Sequence, residues 1–228
     1  MDLIALSLRA DRLPHTIAGR TRRVYDRMAF VYPASTFLFH SKAHRYALEV
    51  SGIRDGMRVL EVATGSGEMF RRLVAVNRNG STVGLDLSPN MAARTQHHAR
   101  SKFPASNAHC QAVDARHIPF RDESFDAVVC CYLLELLAAD DILLTLREIR
   151  RVLRRGSNFT LVCIGEDVRL FNRLYHLCGN LAPAFWGRQV AGCVPEMIEA
   201  VGLRLIHQRT LRQGLYPSRV LVARKDVE

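Results

Sequence analysis

The residues that could do chemistry stand where apolar runs end. Glu61-Val62-Ala63-Thr64-Gly65-Ser66-Gly67 closes a run that starts at Val59. Gly65 and Gly67 mark a place where the backbone bends sharply or approaches a ligand. Asp86 closes the run Thr82–Leu85, about twenty residues beyond the glycine turn, the distance at which an acid meets ribose hydroxyls. A carboxylate accepts two hydroxyl hydrogens at once, so the residue type suits that task. Asp114 ends a third run, where it could accept from the exocyclic amine of a base. Cys130-Cys131-Tyr132 ends a fourth. Neither a Cys-x-x-Cys pair nor zinc spacing is present, and neighbouring His97 and His98 cannot converge on one metal, so no metal site is expected. Together these groups would suit a nucleoside-bearing ligand; none of them is an obvious nucleophile.

The elements that must position them alternate. A strand at Val59–Val62 leads through the glycine turn into a helix over Glu68–Val76, with Met69, Leu73 and Val76 on its inner face. A second strand ends at Asp86 and Leu87. Ser88 is placed as the N-cap of a helix reaching about Phe103, with Pro89 at its first position. Ala108–Val113 and Phe125–Cys131 are the third and fourth strands, the latter nearly all apolar as a central parallel strand should be. Asp141–Leu153 is an amphipathic helix that Gly156 caps, and Asn158–Ile164 is a fifth strand. Pro195–Ala200 is a short helix. Leu203–Gln208 and Arg219–Ala223 are strands about ten residues apart, close enough for an antiparallel pair. This predicts an α/β, Rossmann-like, doubly wound fold: a mostly parallel seven-stranded sheet with a C-terminal antiparallel hairpin. Residues 51–228 form the ligand-binding domain, and residues 1–50 an N-terminal helical arm or lid. That arm reads as helix from Arg22 to Val50, interrupted at Pro33, and carries the most aromatic stretch of the chain. A second aromatic segment spans residues 170 to 186 and includes Trp186.

Composition bounds the class. With 228 residues, 48% hydrophobic and 24% charged, the chain suits one soluble globular core. No apolar run approaches the roughly 18–20 residues that span a bilayer. The first twenty residues lack a basic leader and a small-residue cleavage site, so no signal peptide is expected. The six cysteines read as buried free thiols in a reducing, cytoplasmic compartment. Net charge is +10, almost all of it arginine. RNA, a phosphorylated metabolite or peripheral contact with an anionic membrane would suit that charge. Arg20–Arg23 and the group Arg150, Arg151, Arg154 and Arg155 are the candidate patches.

Two cofactors fit the strand ends, NAD and S-adenosylmethionine. A dinucleotide turn wants a small third residue so that helix packs closely on strand. Phe70 stands there and would obstruct that packing. The motifs in order resemble those of the class I S-adenosylmethionine-dependent methyltransferases. Glu61-Val-Ala-Thr-Gly65-Ser-Gly67 resembles the family's glycine turn, with Ala63 in place of its first glycine. Gly84-Leu-Asp86-Leu-Ser-Pro-Asn-Met91 resembles its ribose-binding strand end, and Asp114-Ala115 with the following Pro-Phe its adenine-side stretch. Leu146 to Ser157 resembles its later helix and turn, where Arg155 and Ser157 depart from the usual Lys-Pro-Gly-Gly. Tyr25-Asp26-Arg27-Met28-Ala29 is similar to a segment of the ubiquinone and menaquinone biosynthesis methyltransferases, in which the tyrosine closes over the cofactor.

The resemblance implies S-adenosylmethionine as cofactor. It implies Gly65 and Gly67 near the methionine moiety, with Glu61 supporting the turn or the amino group. Leu87 and Met91 would pack around the adenine, Ala115 would flank it, and the strand end at Cys131 would border the same site. The methyl of Ala63 would narrow the approach. Methyl transfer from a sulfonium asks mainly for alignment and exclusion of water, so a general base is optional; His40 or His44 could serve. After the fourth strand there is no Asn/Asp-Pro-Pro-Tyr/Phe segment of the kind that amine methyltransferases of bases carry. The aromatic segments at residues 30–39 and 170–186 could form a lipophilic cover, so the expected acceptor is small and lipophilic, quinol-like or lipid. RNA is the alternative, and so is a non-catalytic cofactor-binding module.

Overall fold

The computed structural model describes residues 32–166, 189–214 and 216–227, with side chains in the first helix from His40 onward. The N-terminal arm before residue 32, Tyr25 in it, and the Trp186 segment lie outside the described residues.

In chain order the elements are α1 (Tyr32–Val50), β1 (Arg58–Val62), α2 (Glu68–Val76), β2 (Ser81–Asp86), α3 (Pro89–Lys102), β3 (Asn107–Ala112), β4 (Phe125–Cys131), a 3-10 turn (Leu134–Leu136), α4 (Ala139–Val152), β5 (Leu153–Ile164), α5 (Val194–Ala200), β6 (Arg204–Gln213) and β7 (Tyr216–Arg224). The sheet runs β3-β2-β1-β4-β5-β7-β6. All neighbours through β5 are parallel, and β7 is antiparallel to both β5 and β6. Strand order reverses between β1 and β4, so the crevice beyond their carboxyl ends is where such sheets bind ligands.

Alternation along β1 explains the two layers. Leu60 and Val62 join the core beneath α4 and α5, with Ile142, Leu146, Ile149 and Met197. Val59 faces the other way, with Met69 and Leu73 of α2 and Ala43 and Ala47 of α1. In α4, Ile142, Leu146, Ile149 and Val152 recur at three and four residues and are buried. Each such side chain taken from water contributes about 1.5–3 kcal/mol.

Several boundaries differ from expectation for local reasons. Pro33 lies in the first turn of α1, where its missing N–H costs nothing. Gly156 does not cap α4. The helix runs straight into β5, and Gly156 sits within that strand at φ 74, where the register against β4 shifts. Val76 is 41% exposed, while Phe70 and Val74 complete the buried face of α2. The last two strands extend toward each other and meet in a tight hairpin, with Gln213 paired to Tyr216. Ser88 does cap α3, its hydroxyl accepting from the Met91 amide at 3.3 Å.

Phe70 corrects a steric expectation. It is wholly buried against α3 and β3, and a Cβ added to Gly84 on β2 would lie 2.9 Å from its ring. The facing glycine makes the room, so the bulky residue does not hold helix from strand.

The Arg150–Arg155 cluster is tied down. Arg151 donates to Glu148 and Asp122 and to the Phe120 and Ile118 carbonyls, Arg154 pairs with Asp126, and Arg155 lies 3.1 Å from Glu123. Among the described residues, no helix is long and apolar enough to cross a membrane.

Two outcomes test this account. Ala63 adopts φ 65, a left-handed conformation that costs a residue with a Cβ about 1–2 kcal/mol. Ala63→Gly should therefore stabilise the chain by about 1 kcal/mol after the greater unfolded-state freedom of glycine is subtracted, raising Tm by ~2–4 °C in thermal unfolding. Glu135 is wholly buried; one oxygen accepts from the Ile164 amide at 2.6 Å and the other has no partner. Burial pushes its carboxyl up to about 7. The folded state then holds the proton more tightly than the unfolded one. This stabilisation is complete below about pH 4.5 and lost as pH rises through about 7. Denaturation of the wild type against Glu135→Gln should show a difference that grows across that window by about 3 kcal/mol.

Candidate functional site

The carboxyl ends of β1, β2 and β4, the loop after β3, and α1 enclose one cleft. Its floor is the turn after β1. Ala63 and Gly65 both take positive φ, 65 and 48 degrees, and carry the chain over the strand end. The Thr64 amide donates to the Leu85 carbonyl at 3.0 Å, and the Gly65 amide to Asp86 Oδ2 at 2.7 Å. Asp86 Oδ1 accepts from the Ser88 amide at 2.9 Å. One carboxylate therefore fixes both the glycine turn and the start of α3. A carboxylate has about four acceptor positions, so these two bonds do not exhaust it.

Gly67 does other work. It is the N-cap of α2 at φ 73, and a Cβ there would meet the Thr95 side chain at 2.7 Å. It brings α2 against α3 and does not line the cleft. Ala115 likewise packs against the core outside the lining. Glu61, Ala63, Gly65, Asp86, Leu87, Met91, Asp114 and Cys131 all line it. Leu87 is 40% exposed at the rim, an apolar side chain left open for a ring to cover. Met91 is buried beneath it. Cys131 and Cys130 point to opposite sheet faces, as adjacent strand residues must.

Four carboxylates approach this cleft in different states. Glu61 is wholly buried, and its Oε2 finds no hydrogen-bond partner. Burial, then the Asp86 charge, pushes its carboxyl well above the ordinary range. Glu68, at the first position of α2, is also pushed up by burial. The neighbouring His44 and the hydrogen-bonded Arg72 outweigh that and hold it at about 2. Asp114 is held below its ordinary value by Arg116, which donates Nε and a terminal nitrogen to it at 2.7–3.1 Å. Arg116 also reaches Asp141 at 3.0 Å, so the loop after β3 is tied to α4. Asp86 is the fourth, held by the backbone as described.

The far wall is aromatic and apolar. Tyr132 sits just past β4 at φ 54, held by its amide on the Val162 carbonyl at 2.8 Å and its hydroxyl on Ser218 at 2.7 Å. His40 stacks on its ring, centroids 3.9 Å apart, and Leu133, Leu136 and Leu137 continue the surface. Sequence reasoning did not find Glu68, Arg116 or these leucines. Glu68 had a signal, an acid directly after the glycine turn at a helix start. Arg116 had a weaker one, a cation two residues past an acid in a turn.

The donor set fits S-adenosylmethionine. An orphaned buried carboxylate suits an ammonium group, the Asp86 oxygens suit hydroxyls, and Leu87 and Met91 suit an adenine face.

A family model described as a methyltransferase domain matches residues 59–156. The 2-phytyl-1,4-naphtoquinone methyltransferase of Trichormus variabilis is 30% identical over 168 residues, which cover 70% of this chain and 72% of that protein. The ubiquinone/menaquinone biosynthesis C-methyltransferase UbiE of Shewanella baltica is 28% identical over 152 residues, 66% of this chain and 60% of that one. Among solved structures, the complex of the Haloferax volcanii Trm112 methyltransferase activator with its methyltransferase aligns with a TM-score of 0.75 at 20% identity. It covers 91% of this chain and 98% of that chain, and shows the shared fold.

With its pKa raised by burial, Glu61 would make cofactor binding pH-dependent. The ionised form suits a cationic amine, so binding S-adenosylmethionine should release a proton and weaken as pH falls. Calorimetry in buffers of different ionisation enthalpy should show a buffer-dependent heat. Glu61→Gln should abolish that dependence and weaken binding about tenfold to a hundredfold. A wild-type heat that is the same in every buffer would contradict this.

Proposed function

The chain belongs to the S-adenosylmethionine-dependent methyltransferases, and we propose that it transfers the methyl group to a small lipophilic acceptor with a quinol-like ring. The observation that carries the acceptor class is the wall opposite the glycine turn. It is built from His40, Tyr132, Leu133, Leu136 and Leu137, and presents ring faces and branched carbon. Among the described lining residues Arg116 carries the one guanidinium, already bound to Asp114 and Asp141. A phosphate backbone would meet no uncommitted arginine or lysine among the described lining residues. The relatives named for quinone methylation support the same class of acceptor.

In this reading the chain's residues bind and align. Glu61 holds the cationic amine of the cofactor, and Asp86 its hydroxyls, while Asp86 also fixes the turn beneath them. Asp114, whose oxygens already accept from the Arg116 amide and guanidinium, shares one of them with the adenine amine. Bound S-adenosylmethionine supplies a methyl group on positive sulfur. The apolar wall excludes water and presses a planar ring toward the donor side of the cleft, so orientation supplies most of the rate.

Transfer of labelled methyl to a panel of a prenylated quinol, a phospholipid, a small amine and RNA decides the acceptor. Turnover on the quinol, lowered tenfold or more by Asp86→Ala through the cofactor KM, is the expected result. Methyl release onto RNA alone would overturn the reading.

A further inference from the structure

α1 brings two histidines to the cleft one turn apart, and their surroundings make them different. His40 lies flat on Tyr132 and 5.1 Å from the Tyr216 ring. Burial, then the neighbouring His44, drives its pKa down to about 3, so it does not hold a proton near neutrality. It serves as a ring face. His44 is 3% exposed, and neither of its nitrogens makes a hydrogen bond among the described residues. Its Nδ1 nevertheless faces a carboxylate: Glu68 Oε2 lies 3.5 Å away. Glu68 is itself fixed, accepting from Arg72 at 2.9 Å one turn along α2. Glu68 and the glycine turn are adjacent in sequence, so this carboxylate stands where the cofactor site begins.

We propose that His44, oriented through Nδ1 by Glu68, is the general base that takes the acceptor's proton during methyl transfer. The inference rests on the acceptor reading above and deepens it. A carboxylate beside Nδ1 favours the neutral tautomer with its proton on that nitrogen and leaves the Nε2 lone pair open. Both partners line the cleft, and the His44 ring lies 5.8 Å from that of Tyr132. The acceptor's acidic hydrogen, on a ring hydroxyl or on the ring carbon beside it, passes to His44 Nε2. The acceptor's electron pair forms the new bond to the methyl carbon, the carbon–sulfur bond opens, and its pair stays on sulfur. Product release returns the His44 proton to water. Glu68 is a positioning residue in this scheme. The charged groups facing His44 are Glu68 and, through it, Arg72 from α2; His40 faces it from its own helix, and Tyr132 from the end of β4.

Nitrogen-15 NMR of the full chain reads the tautomer without any acceptor or cofactor. The expected result is His44 protonated on Nδ1 when neutral, and a mixture of tautomers in Glu68→Gln. A wild-type His44 protonated on Nε2 overturns the proposal. Kinetics with the quinol supply the second readout. His44→Gln should lower kcat by about 10²–10⁴ while KM for the cofactor stays within twofold. The acid limb of the kcat–pH profile should disappear, and added imidazole should restore part of the rate to His44→Ala. A His44→Gln enzyme with wild-type kcat and an unchanged acid limb overturns it as well. A wild-type chain that binds S-adenosylmethionine and methylates no quinol instead overturns the acceptor reading, and the tautomer still decides the His44–Glu68 pair.

Discussion

The hydrogen bond from the Gly65 amide to Asp86 joins what the sheet alone leaves separate. β1 and β2 are parallel neighbours, and their carboxyl ends would each trail into a loop with its own freedom. Asp86 stops this by taking the Gly65 amide on one oxygen and the Ser88 amide on the other. The turn above β1, the end of β2 and the start of α3 then move as one piece. Backbone left-handed at Ala63, Gly65 and Gly67 is tolerated because that piece is over-determined. The cleft inherits a floor whose amides and carbonyls are fixed before a ligand arrives, which is what alignment of a small reactant requires.

Environment divides the cleft acids into roles that residue type alone does not assign. Glu61 and Glu68 are seven residues apart, and both are buried below 9% exposure. Glu61 is wholly buried with Asp86 beside it, and both push its carboxyl well above the ordinary range. Glu68 has Arg72 and His44, so it remains ionised and directs an imidazole. A buried carboxyl oxygen without a partner is costly, and the one on Glu61 lines the cleft. Asp114 stands between these extremes, with a fixed guanidinium that keeps it charged and holds it toward the cleft.

Much of the scaffold was legible because it depends on local patterns. The apolar run at β1 follows from burial on both faces, the three-four spacing of α4 from burial on one, and the Ser88-Pro89 start from local capping. Asp86 was legible because its distance from the glycine turn is set by one helix and one strand. Legibility failed where the cause is a partner distant in sequence. Phe70 is acceptable only because Gly84 faces it from another strand. Gly156 looked like a helix cap because nothing local announces that its amide will donate to the Lys225 carbonyl at 2.6 Å. The arginines around it looked like a free basic patch until Asp122 and Glu123, just before β4, and Asp126, within it, closed on them. Among the cleft residues, Glu61 was legible as an acid at a strand end. Its missing partner was not, since an absence of hydrogen bonds is a property of the assembled core.

The strain at Tyr132 follows from the same geometry. A bulky residue at φ 54 costs about 1–3 kcal/mol and persists only where its surroundings hold it. Here the Val162 carbonyl takes the amide, Ser218 meets the hydroxyl, and His40 covers the ring. Three separate elements, β5, β7 and α1, thus act on one side chain. The effect is to present a flat aromatic face opposite the glycine turn at a fixed height above the sheet. Relaxed backbone at this position would continue the strand direction and turn the ring out of the wall. α1 can supply His40 only because Tyr46 and Lys42 fasten that helix to the hairpin, through His207 at 2.9 Å and the Arg212 carbonyl at 3.1 Å. The antiparallel pair at the end of the chain is therefore part of the site's support. It sets where α1 lies, α1 sets where the two histidines stand, and those histidines complete the wall that the parallel strands leave open.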